Sequence, residues 1–241
     1  MGNLTMWSST SYTDTGNLRT INEDSVLDMP TENIWLVADG MGGHSHGDFA
    51  SQLVVDTLKR FTSSIHNGIS KARITSALNY CNTQLLEKAK TDDVDVVGCT
   101  VALLHARANS VLCTWSGDSR IYRLRNGKMA QLTTDHSQKT AVDDRDKLRH
   151  PKKPFEPSEM LTAAIGGDRF LTLEYCWYRL IKGDMFLICT DGLTKEVSDD
   201  EIHAILDNPT GNKQVLERLV ELYQSRGARD NIGLIFTCKY C

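Results

Sequence analysis

Helical segments come in pairs along this chain, and each pair is fenced by runs of β-favouring residues. From Asp48 to Phe61 the apolar positions Phe49, Ala50, Leu53, Val54, Leu58 and Phe61 recur at helical spacing, and a second helix is predicted over about 70–90. Strands are predicted at about 5–13 and 33–39 before this pair and at 99–106, 110–116 and 120–124 after it. Arg125-Asn126-Gly127-Lys128 holds the Asn-Gly step of a two-residue hairpin, so the neighbouring strands should be antiparallel. Further on, 171–181 and 184–190 read as another hairpin turned at Lys182-Gly183. Helices at about 199–206 and 213–225 and a closing strand at 231–239 complete the order. Strict strand–helix alternation would build a parallel sheet. Paired helices beside antiparallel strands predict an α+β fold instead, with antiparallel sheets packed together and helices on their outer faces.

Three carboxylates stand at the boundaries of short apolar runs. Asp39 follows Ile34-Trp35-Leu36-Val37-Ala38, Asp191 follows Met185-Phe186-Leu187-Ile188-Cys189-Thr190, and Asp230 precedes Asn231-Ile232-Gly233-Leu234-Ile235-Phe236. Apolar runs closed by Asp39-Gly40 and Asp191-Gly192 read as buried strands that stop at a turn, each delivering an acid to a sheet edge. If the three edges coincide, the acids repel one another unless a divalent cation neutralises them, and an all-oxygen donor set suits Mg²⁺ or Mn²⁺.

The 241 residues, 40% of them hydrophobic, suffice for one domain with a substantial core, and the whole chain, 1–241, is expected to be that domain. A net charge of −4 gives no overall attraction to nucleic acid. No apolar stretch reaches the ~20 residues that span a bilayer. The start Met-Gly-Asn-Leu-Thr-Met has the pattern of neither a signal peptide nor a myristoylation site, so a cytoplasmic, monomeric protein is expected. The seven cysteines agree with a reducing compartment: Cys99, Cys113, Cys176 and Cys189 fall in apolar or β-rich segments, and Cys238 and Cys241 read as a fraying tail rather than a metal site. The segment from about 135 to 160 is charged, holds three of the five prolines and lacks apolar periodicity; it is read as an irregular flap over the site.

Seven motifs occur in a fixed order: Gly16-Asn17-Leu18-Arg19-Thr20-Ile21-Asn22-Glu23-Asp24-Ser25, Val37-Ala38-Asp39-Gly40-Met41-Gly42-Gly43-His44, Gly98-Cys99-Thr100, Ser116-Gly117-Asp118-Ser119-Arg120, Leu161-Thr162-Ala163-Ala164-Ile165-Gly166, Cys189-Thr190-Asp191-Gly192-Leu193 and Ala228-Arg229-Asp230-Asn231. With these, the chain from about residue 10 to 237 resembles the bacterial type 2C protein phosphatases, the metal-dependent Ser/Thr family. Its short length and the context of His44 also resemble phosphatases associated with type VI secretion. The resemblance implies a four-layer α-β-β-α sandwich with a binuclear Mn²⁺ or Mg²⁺ centre at one edge of its two sheets. It implies that Asp39 bridges both metals, that the Gly40 carbonyl joins the first, and that Asp191 and Asp230 hold the second. Glu23 and Asp24 would hold the centre through water, and Asp118 would carry a weaker third metal.

Phosphomonoester hydrolysis is among the slowest uncatalysed reactions, so a site of this kind must supply a nucleophile and offset phosphate charge. Arg19 is expected to clamp the phosphoryl group, because a planar guanidinium binds two oxygens at once, and to touch none of the metal ligands. Gly42, Gly43 and Gly47 are read as glycines that let the chain turn sharply. Eukaryotic relatives often carry His directly after the Asp-Gly, where Met41 stands here and has no proton to give. His44, His136 or a water at the metal centre would then protonate the leaving group. The expected partners are phosphorylated proteins and a cognate Ser/Thr kinase, with no nucleic acid and no membrane insertion. Two further readings stay open on the residues alone: a two-metal phosphodiesterase or nuclease, and a pseudo-phosphatase that only binds phosphoproteins.

Overall fold

A computed structural model describes residues 7–42, 46–63, 69–139, 159–208 and 211–239. In chain order the elements are β1 (Trp7–Asp14), β2 (Asp24–Met29), β3 (Ile34–Gly42), α1 (Gly47–Ser63), α2 (Lys71–Asp92), β4 (Val97–Cys99), β5 (Val101–Ala106), β6 (Ser110–Ser116), β7 (Arg120–Arg125), β8 (Lys128–Gln131), β9 (Ser137–Lys139), β10 (Glu159–Leu161), β11 (Glu174–Arg179), β12 (Met185–Cys189), α3 (Asp191–Thr194), α4 (Asp199–Leu206), α5 (Asn212–Ser225) and β13 (Ile232–Lys239). One antiparallel sheet runs β1-β13-β12-β7-β8 and the other β11-β6-β5-β3-β2, with β4 paired to β3.

The apolar runs are continuous because their strands are buried on both faces. Along β3, Ile34, Leu36 and Ala38 pack towards α1 and α2, while Trp35 and Val37 enter the gap between the sheets. Along β12, Leu187 and Cys189 face α4 and α5, while Phe186 and Ile188 enter that gap. Three apolar layers therefore separate four layers of structure, the α-β-β-α sandwich expected. Trp35 lies at the centre, fully buried, with the Trp7 ring 4.9 Å away. Its truncation to Ala would cost about 3–5 kcal/mol.

Local chemistry fixes the ends of several elements. Ser70 caps α2 by accepting the Arg73 N–H, and Ser198 and Glu201 form a reciprocal capping box on α4. Asn126 and Gly127 adopt φ of 51° and 70°, as the expected two-residue hairpin between β7 and β8 requires.

Several expectations are corrected. Strand β2 adds an element between the strands predicted at 5–13 and 33–39. Residues 171–181 and 184–190 do not form a hairpin: β11 pairs with β6 in one sheet and β12 with β7 and β13 in the other, so the Lys182-Gly183 turn carries the chain between sheets. β3 does not stop at Asp39-Gly40 but runs to Gly42, because β4 supplies a partner for residues 40–42. Cys238 is no fraying tail, since β13 pairs it with Ser8 and Met185, while Cys241 lies outside the described residues. Most of the expected flap, 140–158, also lies outside them, but its two ends are regular: Ser137–Lys139 pairs with Glu159–Leu161 as an antiparallel ribbon. Among the described residues, no helix is long and apolar enough to cross a membrane.

Candidate metal centre

Alternation along β3 sends the Asp39 side chain to the same face as Trp35 and Val37, at the end of the gap between the sheets. Asp24 is its direct neighbour in the β2–β3 register. From the facing sheet, Asp191 begins α3 just after β12, and Asp230 lies two residues before β13. A cavity of about 940 Å³ opens there, lined by Glu23, Asp39, Gly40, Asp118, Asp191 and Asp230 together with Arg19, Met41 and Lys195. Asp24 sits behind Asp39, 5% exposed. The structure thus gathers Arg19, Glu23, Asp24, Asp39, Gly40, Asp118, Asp191 and Asp230 at one place, while His44 lies outside the described residues.

Several of the acids are held by polar groups from the seven motifs. The Asp39 N–H donates to Thr100 Oγ1 at 3.1 Å, and the Thr100 N–H returns a bond to the Asp39 carbonyl at 2.8 Å. Thr190 Oγ1 donates to Asp24 Oδ2 at 2.7 Å and accepts the Gly233 N–H at 2.8 Å. Asn231 ties the loop bearing Arg19 to the Asp230 turn: its side-chain amide donates to the carbonyls of Thr15 and Ile21, and its Oδ1 accepts the Glu23 N–H at 2.9 Å. Close backbone approach explains the glycines. A Cβ on Gly40 would lie 2.0 Å from the Gly47 carbonyl oxygen, and one on Gly192 would lie 1.8 Å from that of Asn231.

Crowding shifts the acids. Burial, then the charges of Asp24, Asp191 and Asp118, pushes Asp39 well above the usual carboxylate range. Burial is also the main cause that raises Asp24 and Asp118 to about 7, with Asp191 adding repulsion to both; it raises Glu23 as well. Asp24 Oδ1 and Asp118 Oδ1 are buried with no hydrogen-bond partner. Asp230 moves the other way: burial would raise it, but Lys195, Arg19 and the Asn231 N–H outweigh that and hold it below the usual range.

Crowded acids with orphaned oxygens fit a divalent cation bound through oxygen. Yet among the described residues no three His, Cys, Asp or Glu side chains form a ready cage. Basic groups stand among these acids. Lys195 Nζ lies 2.6 Å from Asp191 Oδ2 and 2.8 Å from Asp230 Oδ2, and Arg19 Nη2 lies 2.8 Å from Asp230 Oδ1. The expectation that Arg19 stands clear of the metal-binding acids is therefore corrected; with Asp230 as its nearest anion, the guanidinium pairs with it. His136 is also corrected as an acid candidate, since it does not line the cavity. Its Nδ1 accepts the Gly117 N–H at 3.2 Å and its Nε2 faces Glu174 at 3.1 Å, so it fastens the Asp118 turn to the ribbon base. Sequence reasoning missed Lys195, Thr100, Thr190 and Asn231 as individual parts of the site, although the last three lie inside its motifs.

Comparison with known proteins agrees with the fold. The profile of the family Protein phosphatase 2C matches residues 19–232. The Ser/Thr protein phosphatase PstP of Mycobacterium tuberculosis is 31% identical over 225 residues, which make up 92% of this chain but 43% of PstP, so the chain spans less than half the length of that relative. The Ser/Thr phosphatase stp of Listeria welshimeri is 29% identical, with 92% of each chain covered. Among solved structures, PppA, described as a key regulatory component of the T6SS in Pseudomonas aeruginosa, superposes with a TM-score of 0.83 at 37% identity over 98% of both chains. The catalytic domain of PstP in complex with two manganese ions gives 0.81 at 27% identity, covering 98% of this chain and 99% of the other. By sequence and by fold, the chain belongs to the protein phosphatase 2C family.

Proposed function

We propose that this chain hydrolyses phosphoserine and phosphothreonine in phosphoproteins with the help of two divalent ions, Mn²⁺ or Mg²⁺, and so reverses a cognate Ser/Thr kinase. The observation that carries the reading is the convergence of Glu23, Asp39, Asp118, Asp191 and Asp230 on one cavity, with Asp24 behind them and two acid oxygens left without partners. Bound divalent ions supply a nucleophilic water and offset phosphate charge. Asp39 and the Gly40 carbonyl would hold the first ion, Asp39, Asp191 and Asp230 the second, and Asp118 a weaker third. Glu23 and Asp24 would act through water.

The remaining tasks fall to side chains. Arg19, half exposed at the mouth of the cavity, is placed to exchange one oxygen of Asp230 for phosphoryl oxygens, which a guanidinium binds in pairs. Thr100, Thr190 and Asn231 hold the acids in place, so that little reorganisation accompanies reaction. Met41 lines the cavity but cannot donate a proton; His44 or water would protonate the departing alkoxide. We assign the 241 residues to one monomeric phosphatase domain acting in the cytoplasm, and the likeness to PppA supports a place among regulators of type VI secretion.

Turnover of a phosphothreonine peptide should require added Mn²⁺ or Mg²⁺ and vanish in EDTA. Asp39→Asn should fold yet lose at least about 10²-fold of that activity. Full turnover after exhaustive chelation would overturn the proposal.

A further inference from the structure

Lys195 lines the cavity as a cation that the acid pattern does not call for. It lies one helical turn beyond Asp191, and its N–H donates to the Asp191 carbonyl at 2.8 Å, which brings both side chains to the same face of α3. Its ammonium closes on Asp191 Oδ2 at 2.6 Å and on Asp230 Oδ2 at 2.8 Å. These are the acids to which the second ion was assigned above, and a cation already occupies one oxygen of each.

We propose that Lys195 is the internal counter-ion of the metal-free site: its ammonium holds Asp191 and Asp230 together, and a second divalent ion binds only by displacing it. This rests on the two-ion reading given above. Two observations support it. The ammonium bridges acids from α3 and from the turn before β13, which are 39 positions apart in sequence and otherwise repel. The side chain is 48% exposed, so a flexible four-carbon stem can swing the ammonium into solvent once an ion arrives. Among the described residues, Asp39 is in no ion pair. The first ion would then bind without competition while the second meets a resident charge, which makes occupancy of the second position the step that responds to metal concentration.

The test compares metal-free wild type, Lys195→Met and Lys195→Arg by calorimetric Mn²⁺ titration and by thermal melting with and without EDTA. Met keeps the length of the side chain and removes the charge; Arg keeps the charge. Exchanging two charged hydrogen bonds at a half-exposed site should weaken the second ion about tenfold, so Lys195→Met should bind that ion about tenfold more tightly than wild type, with a smaller change at the first site, which the Lys195 charge reaches without contact. It should melt lower than wild type in EDTA, and the gap should close in saturating Mn²⁺. Lys195→Arg should bind no more tightly than wild type. Two bound ions in every protein with equal second-site affinity would overturn the role of Lys195 and leave the two-ion reading intact. A single bound ion in all three would overturn both. Tightening by Lys195→Arg equal to that by Lys195→Met would overturn the charge argument.

Discussion

Replacing Asp24 by Asn should change how the metal-free protein responds to pH. In the fold this carboxyl titrates near 7, against an ordinary value of 3.8, chiefly because it is buried; the Thr190 hydroxyl lowers it, and the charges of Asp191 and Asp230 add to the rise. Between those values the folded protein keeps a proton that the unfolded chain has released, so raising the pH favours unfolding. From pH 5 to pH 7 one such group costs up to about 3 kcal/mol. His105 acts in the opposite direction: burial lowers it from 6.5 to about 4, so it binds its proton mainly in the unfolded chain, and stability rises with pH across that window. The wild-type profile therefore mixes two opposed slopes, and the informative quantity is the difference between wild type and variant. Relative to wild type, Asp24→Asn should gain about 2–3 kcal/mol between pH 5 and pH 7, or roughly 4–12 °C in Tm for a chain of this size. Scanning calorimetry in EDTA at pH 5, 6 and 7 measures it. Parallel Tm profiles for the two proteins would refute the reasoning.

Three further outcomes test how the site is held together. Thr190→Val keeps the volume but strands the buried Gly233 N–H and removes the donor to Asp24, so it should cost about 2–4 kcal/mol in urea unfolding. Gly192→Ala sets a Cβ 1.8 Å from the Asn231 carbonyl oxygen, which should force Asp191 and Asp230 apart and lower Mn²⁺ affinity in calorimetry more than it lowers Tm. Arg19→Ala should reduce kcat/KM on a phosphopeptide by at least about tenfold and also shift Mn²⁺ affinity, because the guanidinium pairs with Asp230; an unchanged Mn²⁺ isotherm would show that the contact carries no energy.

The three aspartates were legible because each borders an apolar run buried on both faces, a pattern that owes nothing to distant partners. Strand β2 was not, since Asp24-Ser25-Val26-Leu27-Asp28-Met29 shows no clean alternation: Asp24 and Leu27 are buried and the rest half-buried. The false hairpin has a different origin. Two apolar runs around a short polar turn look alike whether the chain folds back in one sheet or crosses to the next, and only the distant pairings with β6 and β13 decide. Lys195 was invisible for the same reason. Its contact with Asp191 is local, but the contact that gives it meaning, with Asp230, spans 35 residues.

The register of β1 against β13 has a consequence for the timing of synthesis. All eight residues of β1 pair with β13, from Trp7 with Lys239 to Asp14 with Ile232. Asp230 and Asn231, just before that strand, anchor the loop that carries Arg19 and Glu23. A nascent chain on the ribosome therefore holds Asp24 and Asp39 long before it holds the elements that position Arg19 and close the cavity. Phosphoprotein hydrolysis should begin only after residue 239 has left the exit tunnel. With Mn²⁺ in excess, chains stalled with residue 225 just exposed should be inert, and chains stalled about 40 residues beyond Lys239 active.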